Sequence, residues 1–310
     1  EESSTIANQA LSIRSENLPT DFYKTFLSNL NKVSKDDVMD SSKKFFLIDN
    51  AQIVVTGKIN DIIENLENIY LDNNKIDVIY HDEFGNITQR PDYSVSDDVT
   101  TESIINNYLD LIGGKDKLEE VKSIEIKGNA NLNMQGQSLV LEFYSLKNNQ
   151  NQSLATVTAG GMVVQKSVFN KYQGYNEVNG QKMPITDTEL EQAIINSALF
   201  TELNYDYSTM ELVGTSIVNE EKAYEVKVTD NKTEYYSIES GLKVKEVETS
   251  EVEGNQMSVE TTINEYEEVD GILIPSEINL VTPGMPIPGG ITIKFGTINL
   301  NIKTSDSDFN

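Results

Sequence analysis

Two short stretches bring together residue types that could do chemistry, and spacing decides between their readings. His81-Asp82-Glu83 collects three potential metal ligands, but adjacent side chains rarely converge on one ion, and the Phe84-Gly85-Asn86 that follows has the composition of a turn. Gly113-Gly114-Lys115 invites a phosphate-loop reading. That loop needs a glycine where Leu109 stands and a Ser or Thr where Asp116 stands, so a helix stop accounts for it better. His81 is the sole histidine and the chain has no cysteine, which removes the central residue of a Ser-His-Asp triad, a His-based proton relay and the usual zinc ligand sets. Asp and Glu are so abundant that no acid/base pair can be picked by spacing. No catalytic and no metal-ligating residue is therefore assigned, and no cofactor is expected in this chain.

The 310 residues carry 24 Lys and Arg against 50 Asp and Glu, a formal net charge of −26. Such a chain is repelled by phosphate backbones and anionic headgroups, so nucleic acid is excluded as a partner and electrostatic membrane docking is disfavoured. No run of about 18 apolar residues is present, so no transmembrane segment is expected. The chain opens at Glu1 without Met or a basic-then-apolar leader, so any secretion signal is expected to have been removed or to lie outside it.

The elements that would position a site fall into two parts. In the first, Phe22, Phe26, Leu27 and Leu30 share a helical stripe, and Ser34-x-x-Asp37 resembles a capping box ahead of Val38, Phe45 and Phe46. Ile53-Val54-Val55 reads as a strand ending at Gly57. A third helix is expected from Asn60, with Ile62, Ile63, Leu66, Ile69 and Tyr70 on one face, and a short strand over 76–80. Pro91, Ser94, Ser96, Asp97 and Asp98 mark a linker. The expected division is 1–88, a linker over 89–99, and 100–310.

The second part begins with a helix bearing Ile104, Ile105, Tyr108, Leu109 and Ile112, then becomes mostly strand. Ile124, Ile126, Ala130, Leu132 and Met134 alternate with polar residues. So do Leu139, Leu141 and Phe143, then Met257, Val259, Thr261 and Ile263, and finally Ile291, Ile293 and Phe295. The short spacing between strands favours an antiparallel meander. Tyr175-Asn-Glu-Val-Asn-Gly180 and Tyr266-Glu-Glu-Val-Asp-Gly271 predict two hairpins of similar design. The fold class is thus α+β, a small α/β part followed by a curved antiparallel half-barrel with covering helices.

One helix interrupts the strands. It opens on a capping box, Thr186-x-x-Glu189, and its C-terminal half, through Phe200, is apolar nearly all round. Either the sheet closes over a packed core, or this helix lies across its mouth and leaves room for an apolar ligand. In the second case Leu190, Ile194, Leu199 and Phe200 face the sheet together with Leu139, Leu141 and Phe143, and these seven are the candidate ligand-binding residues. The uncharged, Pro-rich stretch 278–293 would suit an apolar rim.

Two family resemblances join these readings. Thr5-Ile-Ala, Asn17-Leu-Pro-Thr-Asp-Phe-Tyr23, Val33-Ser-Lys-Asp-Asp-Val38 and Asn50-Ala-Gln-Ile-Val-Val-Thr-Gly57 resemble, over residues 3 to 87, the end of the C-terminal lobe of bacterial insulinase-like (pitrilysin-type) zinc peptidases. The family's His-x-x-Glu-His metal motif has no counterpart here. The resemblance implies a noncatalytic piece whose parent is either an active peptidase, its zinc in another lobe, or an inactive partner of a second peptidase-like subunit. Gly113-Gly-Lys-Asp-Lys-Leu-Glu-Glu-Val-Lys-Ser123, Gly160-Gly-Met-Val-Val-Gln165, Glu234-Tyr-Tyr236 and Glu267-Glu-Val-Asp-Gly271 look like the extension that Bacteroidetes-type members carry. Its pattern is similar to the outer-membrane lipoprotein carriers. That implies a periplasmic or envelope location in a Gram-negative cell, and a lipid or lipidated protein as the partner.

Overall fold

The computed structural model describes residues 3–47, 51–57, 62–71, 73–82, 84–134, 137–252, 255–282, 287 and 289–310. The chain divides into two compact units, Glu1–Ile79 and Tyr80–Asn310.

The first unit contains α1 (Ser3–Ser15), α2 (Phe22–Leu30), α3 (Lys35–Phe45), α4 (Ile63–Leu66) and a strand pair, β1 (Tyr70–Leu71) with β2 (Asn74–Lys75). The capping box at Ser34 forms as expected: the Asp37 N–H donates to Ser34 Oγ at 3.2 Å, and the Ser34 N–H to Asp37 Oδ2 at 2.9 Å. Three expectations are corrected. Residues 53–55 form no strand, and Ile53 and Val54 stand 76% and 83% exposed. Their β-branched composition favours extension, but a strand also needs a neighbour to bond. The third helix is four residues long, with Ile63 its buried residue; Asn60, the expected start, lies outside the described residues. Residues 76–79 are irregular. The pairing falls instead on 70–75 and on Tyr80–His81.

The second unit opens with β3 (Tyr80–His81) and β4 (Ile87–Thr88), then α5 (Thr101–Leu111) and α6 (Lys115–Glu119). The Ser103 N–H donates to Thr100 Oγ1 at 3.1 Å at the start of α5, and Gly113-Gly114 ends it, the Gly114 N–H bonding Leu109 O at 2.9 Å. Six strands follow: β5 (Ser123–Met134), β6 (Gln137–Asn148), β7 (Gln152–Ala159), β8 (Met162–Asn170), β9 (Gly174–Val178) and β10 (Gln181–Pro184). After α7 (Asp187–Ser197) and 3-10 turns at Thr201–Asn204 and Tyr207–Thr209 come seven more. They are β11 (Glu211–Val218), β12 (Glu221–Thr229), β13 (Lys232–Ser237), β14 (Lys243–Val252), β15 (Asn255–Val269), β16 (Ile272–Val281) and β17 (Ile291–Leu300).

All thirteen strands from β5 onward form one curved, unclosed antiparallel sheet in the order β10-β9-β8-β7-β6-β5-β17-β16-β15-β14-β13-β12-β11. The chain walks outward to β10, restarts at the opposite edge with β11, and returns until β17 pairs with β5. The connection over 185–210 must therefore cross a face of the sheet, and it does so as α7 and the 3-10 turns. Where β17 meets β5 the register shifts between Phe295 and Thr297, opposite Gly128. A Cβ on Gly128 would lie 2.6 Å from Lys294 O, so glycine permits the two backbones to close there.

Both expected hairpins form. Val178 pairs with Gln181 and Val269 with Ile272, and the Asn-Gly and Asp-Gly residues between them all have positive φ. Gly271, at φ 72°, sits where an L side chain costs about 1–2 kcal/mol. Gly271→Ala should accordingly lower the urea midpoint of unfolding without changing its slope. An unchanged midpoint would mean that the turn relaxes freely.

Candidate functional site

One face of the sheet is covered by α5 and by the crossing segment. In the larger core cluster, α5 and its C-cap residue Ile112 set Ile105, Leu109 and Ile112 against Val226, Tyr236 and Ile272. Ala130, Leu132, Ile291 and Ile293 form a second cluster farther along. Between the covering segment and the sheet lies a cavity of about 490 Å³. Ile124 and Ile126 of β5, Ile263 of β15, Ile274 and Ile278 of β16 and Phe295 of β17 make its apolar wall, and Leu199 and Phe200 line the side formed by the crossing segment.

The other end of the cavity is charged. The Lys243 ammonium lies 2.7 Å from Glu202, 3.2 Å from Glu234 and 3.2 Å from Glu246, while Lys232 lies 3.0 Å from Glu234 and 3.4 Å from Glu246. The Tyr205 and Tyr236 hydroxyls donate to Glu234 at 2.7 and 2.5 Å, so this fully buried carboxylate is met by four donors. Burial alone would push the Glu234 carboxyl up, but the two ammoniums and two hydroxyls outweigh it and bring it down to about 2. Burial likewise works against the Lys243 ammonium, and the carboxylates of Glu202, Glu234 and Glu246 overcome it, holding its pKa well above the ordinary lysine value. Groups held so firmly in one protonation state are poor proton carriers at neutral pH.

A third lysine behaves differently. Lys147 of β6 donates to Asn196 O at 2.6 Å, at the carbonyl-rich end of α7, and more weakly to Ala198 O at 3.4 Å. Burial pushes its ammonium down, against the pull of Glu202 and Glu246.

Of the seven sequence candidates, Leu199 and Phe200 line the cavity. Leu141 and Phe143 face Ala130 and Gly128 across the β5–β6 pair and pack into the second cluster. Leu139 is 38% exposed, Leu190 half-buried and Ile194 39% exposed. The helix expected to run through Phe200 ends at Ser197, so Leu199 and Phe200 reach the cavity from the turn after it. The rim stretch 278–293 splits between the end of β16, a loop partly outside the described residues, and the start of β17; Ile287 of that loop packs on the second cluster. The lysines and glutamates were missed. Their signal is Lys232, Glu234 and Tyr236 alternating along one strand on the face that also carries Val226.

Elsewhere, Asp82 accepts from the Phe84 and Asn86 N–H groups and His81 Nδ1 lies 2.9 Å from Gly85 O, so these residues bond within a local turn; Glu83 lies outside the described residues. Among the described residues no group of His, Asp or Glu is placed to hold a metal, and no helix is long and apolar enough to cross a membrane.

No family model matches the chain, and no curated protein matches it. Solved structures are similar in part. A DUF1329 family protein from Desulfovibrio piger has a TM-score of 0.44 at 12% identity, over 67% of this chain and 96% of that one. A LolA superfamily protein from Nitrosomonas europaea has 0.44 at 11%, over 68% and 98%. A putative outer membrane lipoprotein-sorting protein domain from Vibrio parahaemolyticus has 0.38 at 9%, over 61% and 89%.

Proposed function

We propose that the unit Tyr80–Asn310 is a noncatalytic binding module whose cavity takes the apolar tail of an amphiphile, either free or carried on a lipidated protein. The observation that carries this reading is the 490 Å³ space with an aliphatic wall on the sheet and Leu199 and Phe200 on the crossing segment. Ligand sites are largely preformed and lined mostly by apolar side chains, with a few polar groups that fix orientation.

A periplasmic or envelope location belongs to the same proposal. So does a peptidase-like lobe built with residues 3–87, facing a second peptidase-like subunit. That second reading is supported by the exposed apolar residues of the first unit: Phe26, Leu27, Leu30, Phe45 and Phe46 have the pattern of surfaces that another lobe covers. No zinc or other cofactor is proposed for this chain.

The test is calorimetric titration of the full chain with dodecyl maltoside below its micellar concentration. One site per chain with a negative heat-capacity change is expected. Phe200→Glu should weaken binding at least tenfold, while Ile217→Glu, at an exposed edge-strand position, should leave it unchanged. A folded Phe200→Glu protein that binds like the wild type would exclude the cavity as the site.

A further inference from the structure

Two charges at the cavity have no counter-charge at ion-pair distance among the described residues. Lys232 and Lys243 are each held by carboxylates, but Lys147 meets only the backbone carbonyls of Asn196 and Ala198. Glu248 also lines the cavity, and its carboxylate accepts only a 3.4 Å hydrogen bond from Gln192 Nε2. Lys232 stands opposite Glu248 across the β13–β14 pair, yet its ammonium is engaged by Glu234 and Glu246.

Both residues are tied to the same turn of α7. Gln192 Nε2, which reaches Glu248 at 3.4 Å, also donates to Asn196 Oδ1 at 3.0 Å, and the Asn196 carbonyl accepts from Lys147 at 2.6 Å. We propose that these two residues read a zwitterionic headgroup, Lys147 facing its anionic part and Glu248 its cationic part, while the tail lies along the isoleucine wall. This rests on the amphiphile-binding reading above.

Local pairing, not net charge, argues for both signs at once, since the charged end holds four carboxylates, Glu202, Glu234, Glu246 and Glu248, and three ammoniums, Lys147, Lys232 and Lys243. A purely anionic head would face Glu248. A purely cationic head would face Lys147. A head carrying a phosphate and an ammonium two carbons apart meets a partner for each of its charges, and a desolvated charge without a partner is what such a site must avoid. The desolvation that lowers the Lys147 pKa is relieved by an anion at its remaining N–H.

The test compares four single-chain probes of equal tail length in the full chain: dodecylphosphocholine, dodecyl phosphate, dodecyltrimethylammonium and dodecyl maltoside. The zwitterion should bind at least tenfold more tightly than any of the others. Glu248→Gln should reverse the order so that dodecyl phosphate binds at least as well as the zwitterion, and Lys147→Met should favour the cation. Lys147 also anchors the end of α7, so if its variant fails to fold, Glu248→Gln decides alone. Equal affinities for all four heads in the wild type, or an unchanged order in Glu248→Gln, would overturn the headgroup assignment while leaving the cavity reading intact. Absence of binding by every probe would overturn the cavity reading itself.

Discussion

Replacing Lys243 by methionine should destabilise the protein by about 3–5 kcal/mol, measured as the loss of unfolding free energy in urea at pH 7. Lys243 is the hub of the buried cluster, within ion-pair distance of Glu202, Glu234 and Glu246. Methionine keeps the unbranched shape and most of the length and volume of the side chain, so the cost is not mainly that of a hole. It is that of carboxylates left in a low-dielectric interior with Lys232 as their remaining cation. Glu234 is fully buried and cannot swing out to water.

The pH dependence gives the same prediction a second readout. The Glu234 carboxyl is held down to about 2 from an ordinary 4.5. A depressed folded-state pKa adds stability that is fully present above the unfolded value, so this contribution should be present above pH 4.5 and be lost as pH falls from there toward 2. In Lys243→Met the ammonium that did most to oppose burial is gone. The Glu234 pKa then rises, and proton uptake on acidification becomes favourable to the folded state. The stability curves of wild type and variant should therefore converge as pH falls. A difference between them that is constant with pH would mean that the cluster is not what the substitution disturbs.

What could be read from the chain, and what could not, follows the range of the interactions. The turns at Asn179-Gly180 and Asp270-Gly271, the capping boxes at Ser34, Thr100 and Thr186 and the alternation along β5 all depend on residues within a few positions of one another. The Thr100 box is the least legible of these, because Ser103 is a weaker signal than Asp or Glu at that place. The misread stretch 53–55 shows the reverse case, a local preference with no neighbouring strand to satisfy. The ion cluster was out of reach for a different reason. Glu202 comes from a 3-10 turn, Glu234 from β13 and Lys243 from β14, and only strand register and the edge-to-edge crossing bring them together. Alternation also says which face of a strand is apolar without saying whether that face meets another side chain or a space. Leu141 and Phe143 pack on the second cluster away from the cavity, whereas Ile124, Ile126 and Phe295, equally regular in sequence, pack on the clusters and border the cavity as well.

That difference between filled and unfilled apolar surface determines how affinity should depend on tail length. Within a homologous series of alkyl phosphocholines, each methylene that passes from water into the space beside Ile126, Ile263 and Phe295 should contribute about 0.8 kcal/mol. Lengthening the tail from eight to twelve carbons should therefore tighten binding by about 3 kcal/mol, on the order of two hundredfold. The gain must end once the space is full, since the wall is finite and the second cluster beyond it is already packed. Longer tails should then show a plateau, with the extra carbons in solvent. Dissociation constants for tails of eight to eighteen carbons, taken below each probe's micellar concentration, decide the matter. A series flat from the start would mean that the isoleucine wall collapses onto Leu199 and Phe200 in solution. A slope that persisted to the longest tail would place the chain outside the cavity, along some open apolar surface without an end.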